Sequence, residues 1–349
     1  MKPSTCSVIA RSAFCEEAAL APHCVWCSAG VSKSRLADCF ANYARNDRRA
    51  RVISLLIFVA LMMVACASAQ VPAPPPQFDT GVDPEMWAIV PAGEFLFGEH
   101  DRRVKIDYAY EVMVTDVTNA QYARYLNKAI TDGKVKIANN QVVGAYPGDK
   151  FTGRRDEQKI EAGDKLHMPI GVKDSRLVYD GTQQRFSVKA GYENHPVVAI
   201  TWFGAKAYCD YFGWSLPMEV EWEKTARSND GRAYPWGSAI AKNQANAYNS
   251  LDPFEKGIGA QGDTTPVGFY NGKTYDGYRT LDAPSPYGLY DMAGNVWQWT
   301  GDVYEGMPYR FMRGGSKGND KYNLRVWSRN SAEPDYFGPS TGFRCARKK

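Results

Sequence analysis

The sequence predicts an α+β domain with little regular secondary structure. Only three segments carry the spacing of apolar residues that is typical of a helix. The chain between and after them is divided by turn residues, as in "AYPWG", "APSPYG" and "MRGGSKGND". A composition of 44% hydrophobic and 23% charged residues is typical of a soluble globular protein. We therefore expect short strands joined by long, ordered loops.

Each of the three predicted helices has a recognisable end. "TNAQYARYLNKAIT" opens with Thr118, a residue type that caps helix N-termini. "TWFGAKAYCDYFG" ends at Gly213, because glycine is the favoured residue just past a helix C-terminus. "PMEVEWEKTARS" places Pro217 at the first helical position, where the missing N–H costs nothing.

A strand is predicted in "GLYDMAGNVWQWTGD", residues 288–302. Trp297 and Trp299 are two residues apart, as on a strand with one buried face. Packing in the core is the preferred interpretation of these tryptophans, and stacking against a substrate is the alternative.

The first 85 residues are predicted to lie outside the fold. "VISLLIFVALMMVACASA", residues 52–69, is an uncharged apolar run behind a basic segment, the pattern of a signal peptide with cleavage before Gln70. Cys66 in "MVAC" alternatively becomes the lipidated residue of a lipoprotein, and an uncleaved membrane anchor is the third option. In each case the protein is exported, and is periplasmic or attached to the membrane through this segment.

The flanking segments complete the predicted domain organisation. Residues 1–51 are left unassigned, as a leader or a gene-model extension, although they hold a C-x-x-C pair. Residues 70–85 are proline-rich and predict an extended linker, and residues 86–349 form the folded domain. Residues 1–51 carry the whole net charge of +4, so the rest of the chain is neutral. A neutral domain argues against nucleic acid as a partner.

Cysteine usage predicts one disulfide. Cys209 and Cys345 are the only cysteines after the apolar segment, and an exported chain with two cysteines most simply pairs them. Two buried free thiols are the alternative.

Seven blocks then occur in an order that identifies a family. They are "VPAGEFLFG" (90–98), "VTDVTNAQYARYLN" (114–127), "HPVVAITWFGAKAYCDYFGWSLPMEVEWEKTAR" (195–227), "YPWG" (234–237), "SPYGLYDMAGNVWQWTGD" (285–302), "RGGS" (313–316) and "GFRCA" (342–346). Together they resemble the formylglycine-generating enzyme, or sulfatase-modifying factor, family. The resemblance implies a variant of the C-type-lectin fold with structural calcium, and a core disulfide between Cys209 and Cys345.

The resemblance fails at the copper site. Family members that generate formylglycine hold copper with two cysteines just after the "GGS" turn, because Cu(I) needs soft thiolate ligands. Residues 313–331 read "RGGSKGNDKYNLRVWSRNS" and contain no cysteine, with Asn319 near the first ligand position. We therefore expect no copper and no formylglycine generation. Some relatives in the superfamily bind iron through histidines. Here His100, His167 and His195 lack the close spacing that such a site would need.

The family's calcium loop is present with one change. The resemblance assigns the side-chain oxygens of Asp291 and Gln298 and the carbonyls of Gly294 and Val296 as Ca²⁺ ligands, which suits a hard cation. Relatives commonly carry Glu where this chain has Gln298, so the site is expected to be weaker. A second site is predicted at Asn246, the Ala247 carbonyl and Asp252.

The remaining candidate is a loop surface. It comprises polar and aromatic side chains predicted to bind a ligand: Ser316, Asn319, Asp320, Tyr322, Arg325, Arg329 and Tyr336. Rigidly mounted loops of this kind commonly carry recognition sites. We expect the domain to bind a partner protein or a glycan at the cell envelope. The alternative is a periplasmic oxidoreductase of the same superfamily that acts on a peptide or a siderophore-type metabolite.

Overall fold

The computed structural model describes residues 74–149, 160–255, 262–303 and 307–349. The predicted leader (1–51), the apolar segment (52–69) and Cys66 lie outside these residues. Within the described part of the chain, no helix has the length and apolar character needed to cross a membrane.

The described residues contain three α-helices, where the sequence predicts them: α1 Asn119–Thr131, α2 Trp202–Tyr211 and α3 Glu219–Arg227. Thr118 caps α1, as predicted: its hydroxyl accepts the N–H of Gln121, and the Gln121 side chain accepts the N–H of Thr118. Gly213 follows the end of α2 with φ +75°, a left-handed conformation in which glycine has no steric penalty.

Helix α3 begins two residues later than predicted, so the assignment of Pro217 to its first turn is wrong. Met218 is the N-cap residue, and its N–H donates to the Glu221 carboxylate at 2.8 Å. The N–H of Glu219 donates to the Asp302 carboxylate. These two acceptors satisfy N–H groups that the first turn of any helix leaves unpaired, and therefore they set the start of α3.

Short strands make up the rest of the described regular structure, apart from one 3-10 turn at Lys242–Gln244. In chain order they are β1 Trp87–Val90, β2 Gly93–Phe97, β3 Arg102–Ile106, β4 Tyr110–Met113, β5 Val135–Ala138, β6 Gln141–Tyr146, β7 Gly163–Pro169, β8 Leu177–Asp180, β9 Arg185–Val188, β10 Thr274–Tyr275, β11 Tyr278–Arg279, β12 Trp297–Val303, β13 Arg310–Arg313, β14 Arg329–Ala332, β15 Thr341–Gly342 and β16 Ala346–Lys348. The prediction of an α+β fold with little regular structure is confirmed.

The strands form several small sheets rather than one large sheet. The four-stranded sheet has the order β14-β13-β12-β15, and two three-stranded sheets have the orders β1-β4-β16 and β5-β6-β7. The pairs β2-β3, β8-β9 and β10-β11 are two-stranded. Strand β12 pairs antiparallel with β13 and parallel with β15, and it is therefore an interior strand.

Strand β12 is buried on both faces, which corrects the expectation of a single buried face. Trp299 and its neighbour Gln298 are both fully buried. The Trp299 indole N–H donates to the carbonyl of Ile200, just before α2. The Gln298 side chain accepts from the indole N–H of Trp222 on α3. Helix α3 covers the second face, and alternation along one strand could not reveal this.

The predicted disulfide is confirmed: Cys209 on α2 is bonded to Cys345, and both side chains are fully buried. Next to it the N–H of Ala346 donates to the carbonyl of Ser215, and the N–H of Ser215 donates to the carbonyl of Ala346. Helix α2 is therefore joined both covalently and by hydrogen bonds to the last strand of the domain.

The compact unit begins at Pro74, earlier than the predicted residue 86. Residues 74–85 form no helix or strand, but they lie against the domain. The Phe78 ring is 5.8 Å from the Phe269 ring, and the Thr80 hydroxyl donates to the Val267 carbonyl. Proline content predicts an extended linker here, but it gives no information on whether that segment packs against the domain.

Candidate functional site

A pocket of about 330 Å³ lies on one face of the four-stranded sheet. Its walls come from β12–β15 and the loops beside them: Trp297, Met312, Ser316, Gly318, Asn319, Asn330, Ser331, Ala332, Tyr336, Ser340 and Thr341. The strand register explains why these residues meet. Trp297 is paired with Thr341, and Met312 is paired with Asn330, and paired residues point to the same face of a sheet.

The loop after the "GGS" turn forms one wall of this pocket. The Asn319 amide oxygen accepts the N–H of Ser316 at 3.0 Å and its hydroxyl at 2.8 Å. The Asn319 carbonyl accepts the N–H of Tyr248. Asn319, which stands near the first copper-ligand position, therefore closes the loop with its amide.

Only part of the predicted binding surface lies at this pocket. Ser316, Asn319 and Tyr336 line it. Ser316 is buried, whereas Tyr336 is 47% exposed and stands at the rim.

The other four predicted residues lie outside the pocket wall. The Asp320 carboxylate accepts the N–H of Tyr322. The Arg325 guanidinium lies 4.8 Å from the centre of the Tyr322 ring. The Arg329 side chain forms an ion pair with Glu219 at 2.9 Å. Asp320, Tyr322 and Arg325 support the loop and each other, and Arg329 ties the edge strand β14 to α3.

Sequence reasoning missed several pocket residues, notably Met312, Asn330, Ser340 and Thr341. Their positions depend on the pairing of β12 with β13 and β15, which brings together segments far apart in the chain. Trp297 was predicted to pack in the core, and it is largely buried, but it also lines the pocket. The Ser340 hydroxyl is buried without a hydrogen-bond partner.

The two predicted calcium segments lie side by side. The N–H of Asn295 donates to the carbonyl of Asn246 at 2.8 Å. A Cβ at Gly294, which has φ +85°, would lie 2.4 Å from the same carbonyl oxygen. Glycine is therefore required at 294 by both the backbone conformation and the close approach.

Hydrogen bonds within the protein already engage the Gln298 side chain. Its amide oxygen accepts from Trp222 at 2.7 Å and from the Arg344 guanidinium at 2.9 Å, and its amide N–H donates to the Asp291 carbonyl. Arg344 is fully buried and also donates to the carbonyls of Met113 and Tyr290. This cation lies beside the predicted calcium loop.

The Asp291 carboxylate is buried in the predicted calcium loop. One of its carboxylate oxygens accepts the N–H of Gly268 at 2.7 Å. Burial raises the pKa of Asp291 to about 6, against the lowering effects of that hydrogen bond and of Arg344. The donor set fits Ca²⁺ only in part, because Gln298 would have to leave two donors before its oxygen could bind the ion.

At the second predicted calcium site, the Asp252 carboxylate and the Ala247 carbonyl already accept hydrogen bonds from the protein. The Asp252 carboxylate accepts from the side chains of Ser250 and Tyr270 and from the N–H of Phe254, each at 2.8 Å. The Ala247 carbonyl accepts the N–H of Ser250, and the Asn246 amide donates to the Asp263 carbonyl. Calcium binding at either site stays a prediction.

The three histidines of the domain do not assemble. His100 is exposed, whereas His167 and His195 are buried. Burial lowers the pKa of both His167 and His195 to about 4, so both are neutral near pH 7. Among the described residues, no group of three or more His, Cys, Asp or Glu side chains could hold a metal ion.

The described part of the chain has the fold that the sequence motifs predict. It combines three helices, many short strands, one central disulfide and a pocket walled by strands and loops. The chain belongs to the family of the sulfatase-modifying factor enzyme 1-like domain, whose family model matches residues 74–349. The solved structure of PvdO from Pseudomonas aeruginosa resembles it with a TM-score of 0.50 and 20% identity, covering 80% of this chain and all of that one.

Curated relatives share parts of the chain. The formylglycine-generating enzyme of Mus musculus is 28% identical over 297 residues, which is 74% of this chain and 73% of that protein. The inactive C-alpha-formylglycine-generating enzyme 2 of Mus musculus is 37% identical over 162 residues, 43% of this chain and 48% of that protein.

A further relative is the serine/threonine-protein kinase Pkn1 of Chlamydia trachomatis, 36% identical over 197 residues. The match covers 51% of this chain and 28% of the kinase, so this chain spans only about a quarter of that protein's length.

Proposed function

We propose that this chain is an exported recognition domain that binds a ligand in the pocket on the four-stranded sheet and does not generate formylglycine. The wall of this pocket carries the proposal. The segment in which the family places its copper thiolates has no cysteine, and Asn319 in that segment uses its amide to close the loop on Ser316. Amide oxygens are poor ligands for Cu(I).

The pocket is suited to binding in its size and its rigidity. Its volume of about 330 Å³ is at the lower end of small-molecule sites, which span roughly 300–1,000 Å³. Its walls are paired strands and a hydrogen-bonded loop rather than free segments, and preformed walls reduce the entropy lost on binding. A similar relative is named an inactive formylglycine-generating enzyme.

Loading the protein with copper tests whether it generates formylglycine. Purified residues 70–349 are titrated with Cu(I) against a chelator, then incubated with oxygen and a cysteine-bearing sulfatase peptide. The mouse formylglycine-generating enzyme is the positive control. We expect no tight copper binding and no peptide aldehyde. Stoichiometric copper with oxygen-dependent conversion of the peptide would instead establish an oxidoreductase.

Export is tested on the full chain expressed in its native host or a Gram-negative bacterium. Mass spectrometry of the mature N-terminus is expected to find either Gln70 or a lipidated Cys66. A protein recovered in the cytosolic fraction with residues 1–69 intact would contradict export. Periplasmic protein that starts at Gln70 would exclude the lipoprotein form.

A further inference from the structure

We infer that the ligand of the pocket is a neutral saccharide unit, a class that deepens and rests on the proposed recognition function. The inference starts from the chemistry of the walls. Among the described residues that line the pocket, no side chain carries a formal charge. The polar ones are hydroxyl and amide groups: Ser316, Asn319, Asn330, Ser331, Ser340 and Thr341.

Hydroxyl and amide side chains match the hydroxyl groups of a sugar. A serine or threonine hydroxyl both donates and accepts, and an asparagine side chain carries two donors and one acceptor oxygen. Each sugar hydroxyl likewise donates and accepts. A charged ligand would need opposite charges in the walls to offset its loss of water, and these walls supply none.

One wall group lacks a partner. The Ser340 hydroxyl is buried and makes no hydrogen bond, and Ser340 lies beside Thr341 in the pocket lining. An unpaired buried hydroxyl costs about 1–3 kcal/mol. The Oγ atom has almost no accessible surface in the free protein, so a ligand hydroxyl removes this cost only if the Ser340 side chain turns toward the pocket on binding.

The apolar part of the pocket suits the ring of a sugar. Trp297 lies in the floor with 7% of its surface exposed, and Tyr336 stands 47% exposed at the rim. Aromatic rings with a polar edge pack against apolar C–H faces while their N–H or O–H groups remain available to polar partners. Two aromatic side chains set among hydroxyls and amides therefore suit a ring with one apolar face.

The rival ligand is an extended peptide. Strand β14 is the edge of the sheet, and it presents Asn330, Ser331 and Ala332 to the pocket. An edge strand can pair with an added peptide strand. This backbone lies at one wall only, whereas hydroxyl and amide side chains surround the pocket. The composition of the walls therefore favours the saccharide.

Titration calorimetry with residues 70–349 tests the inference. The probes are methyl glycosides of neutral hexoses and N-acetylhexosamines, methyl glucuronide as the acidic counterpart, and an uncharged hexapeptide of Ala, Ser and Asn. We expect a neutral glycoside to bind more tightly than the glucuronide. Its Kd should change less than about twofold between 0.1 and 1 M salt, because no charged pair is there to be screened.

Variants locate the binding in the pocket. Tyr336→Ala removes an exposed ring and is expected to weaken glycoside binding about tenfold, the equivalent of one aromatic contact. Ser340→Ala is expected to weaken it severalfold. Phe212→Ala, which removes a similarly exposed ring outside the pocket (41% exposed), is the matched control and should leave the Kd unchanged. Melting temperatures confirm that each variant is folded.

The outcomes separate the two proposals. Binding of the peptide alone would overturn the saccharide inference and leave the recognition function in place. If Phe212→Ala weakens glycoside binding as much as Tyr336→Ala does, the assignment of the binding site to this pocket is overturned. If none of the probes binds, the saccharide inference is overturned. Copper-dependent oxidation of a peptide would overturn the recognition function itself.

Discussion

His195 shows how a single buried side chain couples the fold to pH. Its Nδ1 is 2.9 Å from the Thr264 hydroxyl, and its Nε2 is buried without a partner. Burial lowers its pKa to about 4, below the value of about 6.5 for an unperturbed histidine. The buried position of His195 indicates a packing role for this histidine.

The sign of the pH effect follows from these two pKa values. Between pH 6.5 and 4 the unfolded chain binds a proton at His195 that the folded chain does not, so the stabilisation is present above pH 6.5 and is lost as pH falls. His195→Gln should make the free energy of unfolding less dependent on pH in this window, by at most ~1.4 kcal/mol per pH unit. Urea titrations at several pH values measure this. Parallel curves for the two proteins would contradict it, and His100→Gln, at an exposed position, is the control.

Asp291 carries the calcium prediction. Because Gln298 is neutral and already hydrogen-bonded, we expect weak binding, with Kd about 10⁻⁴–10⁻³ M as in extracellular modules. Millimolar Ca²⁺ should raise the melting temperature of the wild type, and Asp291→Ala should lower stability and abolish this response. Scanning calorimetry compares the melting temperatures in Ca²⁺ and in a chelator. Identical melting temperatures of the wild type in the two conditions would refute the prediction. Asp107→Ala, at an exposed position, is the control.

At the scale of the element, the ends of helices were predicted better than the surroundings of strands. Thr118 caps α1 and Gly213 ends α2 through local backbone geometry, which depends on only a few neighbouring residues. The start of α3 depends on Asp302, a residue more than eighty positions away. The burial of both faces of β12 likewise depends on α3. The alternation of residues along β12 cannot indicate that a helix covers its second face.

The capping box of α1 allows a quantitative test. Thr118→Ala removes the acceptor for the N–H of Gln121 and should lower the free energy of unfolding by about 1 kcal/mol. Thr131→Ala at the other end of α1 removes an exposed hydroxyl that donates to the Asn127 carbonyl, and should change stability by less than about 0.5 kcal/mol. Chemical denaturation of both variants measures the difference. Equal losses would show that α1 is not held by its N-cap.

At the scale of the whole molecule, the disulfide joins residues separated by 136 positions. Closing a loop of that size stabilises a fold by roughly 4–5 kcal/mol in the chain-entropy model. The double variant Cys209→Ala/Cys345→Ala should lose about 2–5 kcal/mol. Wild-type protein unfolded in reductant should show the same loss, and unchanged melting of the double variant would contradict the prediction.

The overall fold could be predicted from the sequence because seven blocks preserve the order of a known family and two cysteines remain to pair. The pocket could be predicted only in part. Ser316 and Asn319 lie in or just after the "GGS" block and Tyr336 lies in the exposed loop after β14, whereas Met312 and Ser340 reach the pocket only through strand pairing. Asp320, Tyr322 and Arg325 share the polar character of the pocket residues but turn toward one another. Residue type did not distinguish the two groups.

The register of β16 has a consequence for how the protein is made. Ala346 pairs with Val112 in the middle strand of a three-stranded sheet, so that sheet lacks one edge until more than two hundred further residues have left the ribosome. During synthesis β4 exposes an unsatisfied row of backbone groups, and such open edges recruit other chains. Contacts this distant in sequence also form slowly. The nascent chain therefore needs protection from aggregation until its final strand arrives.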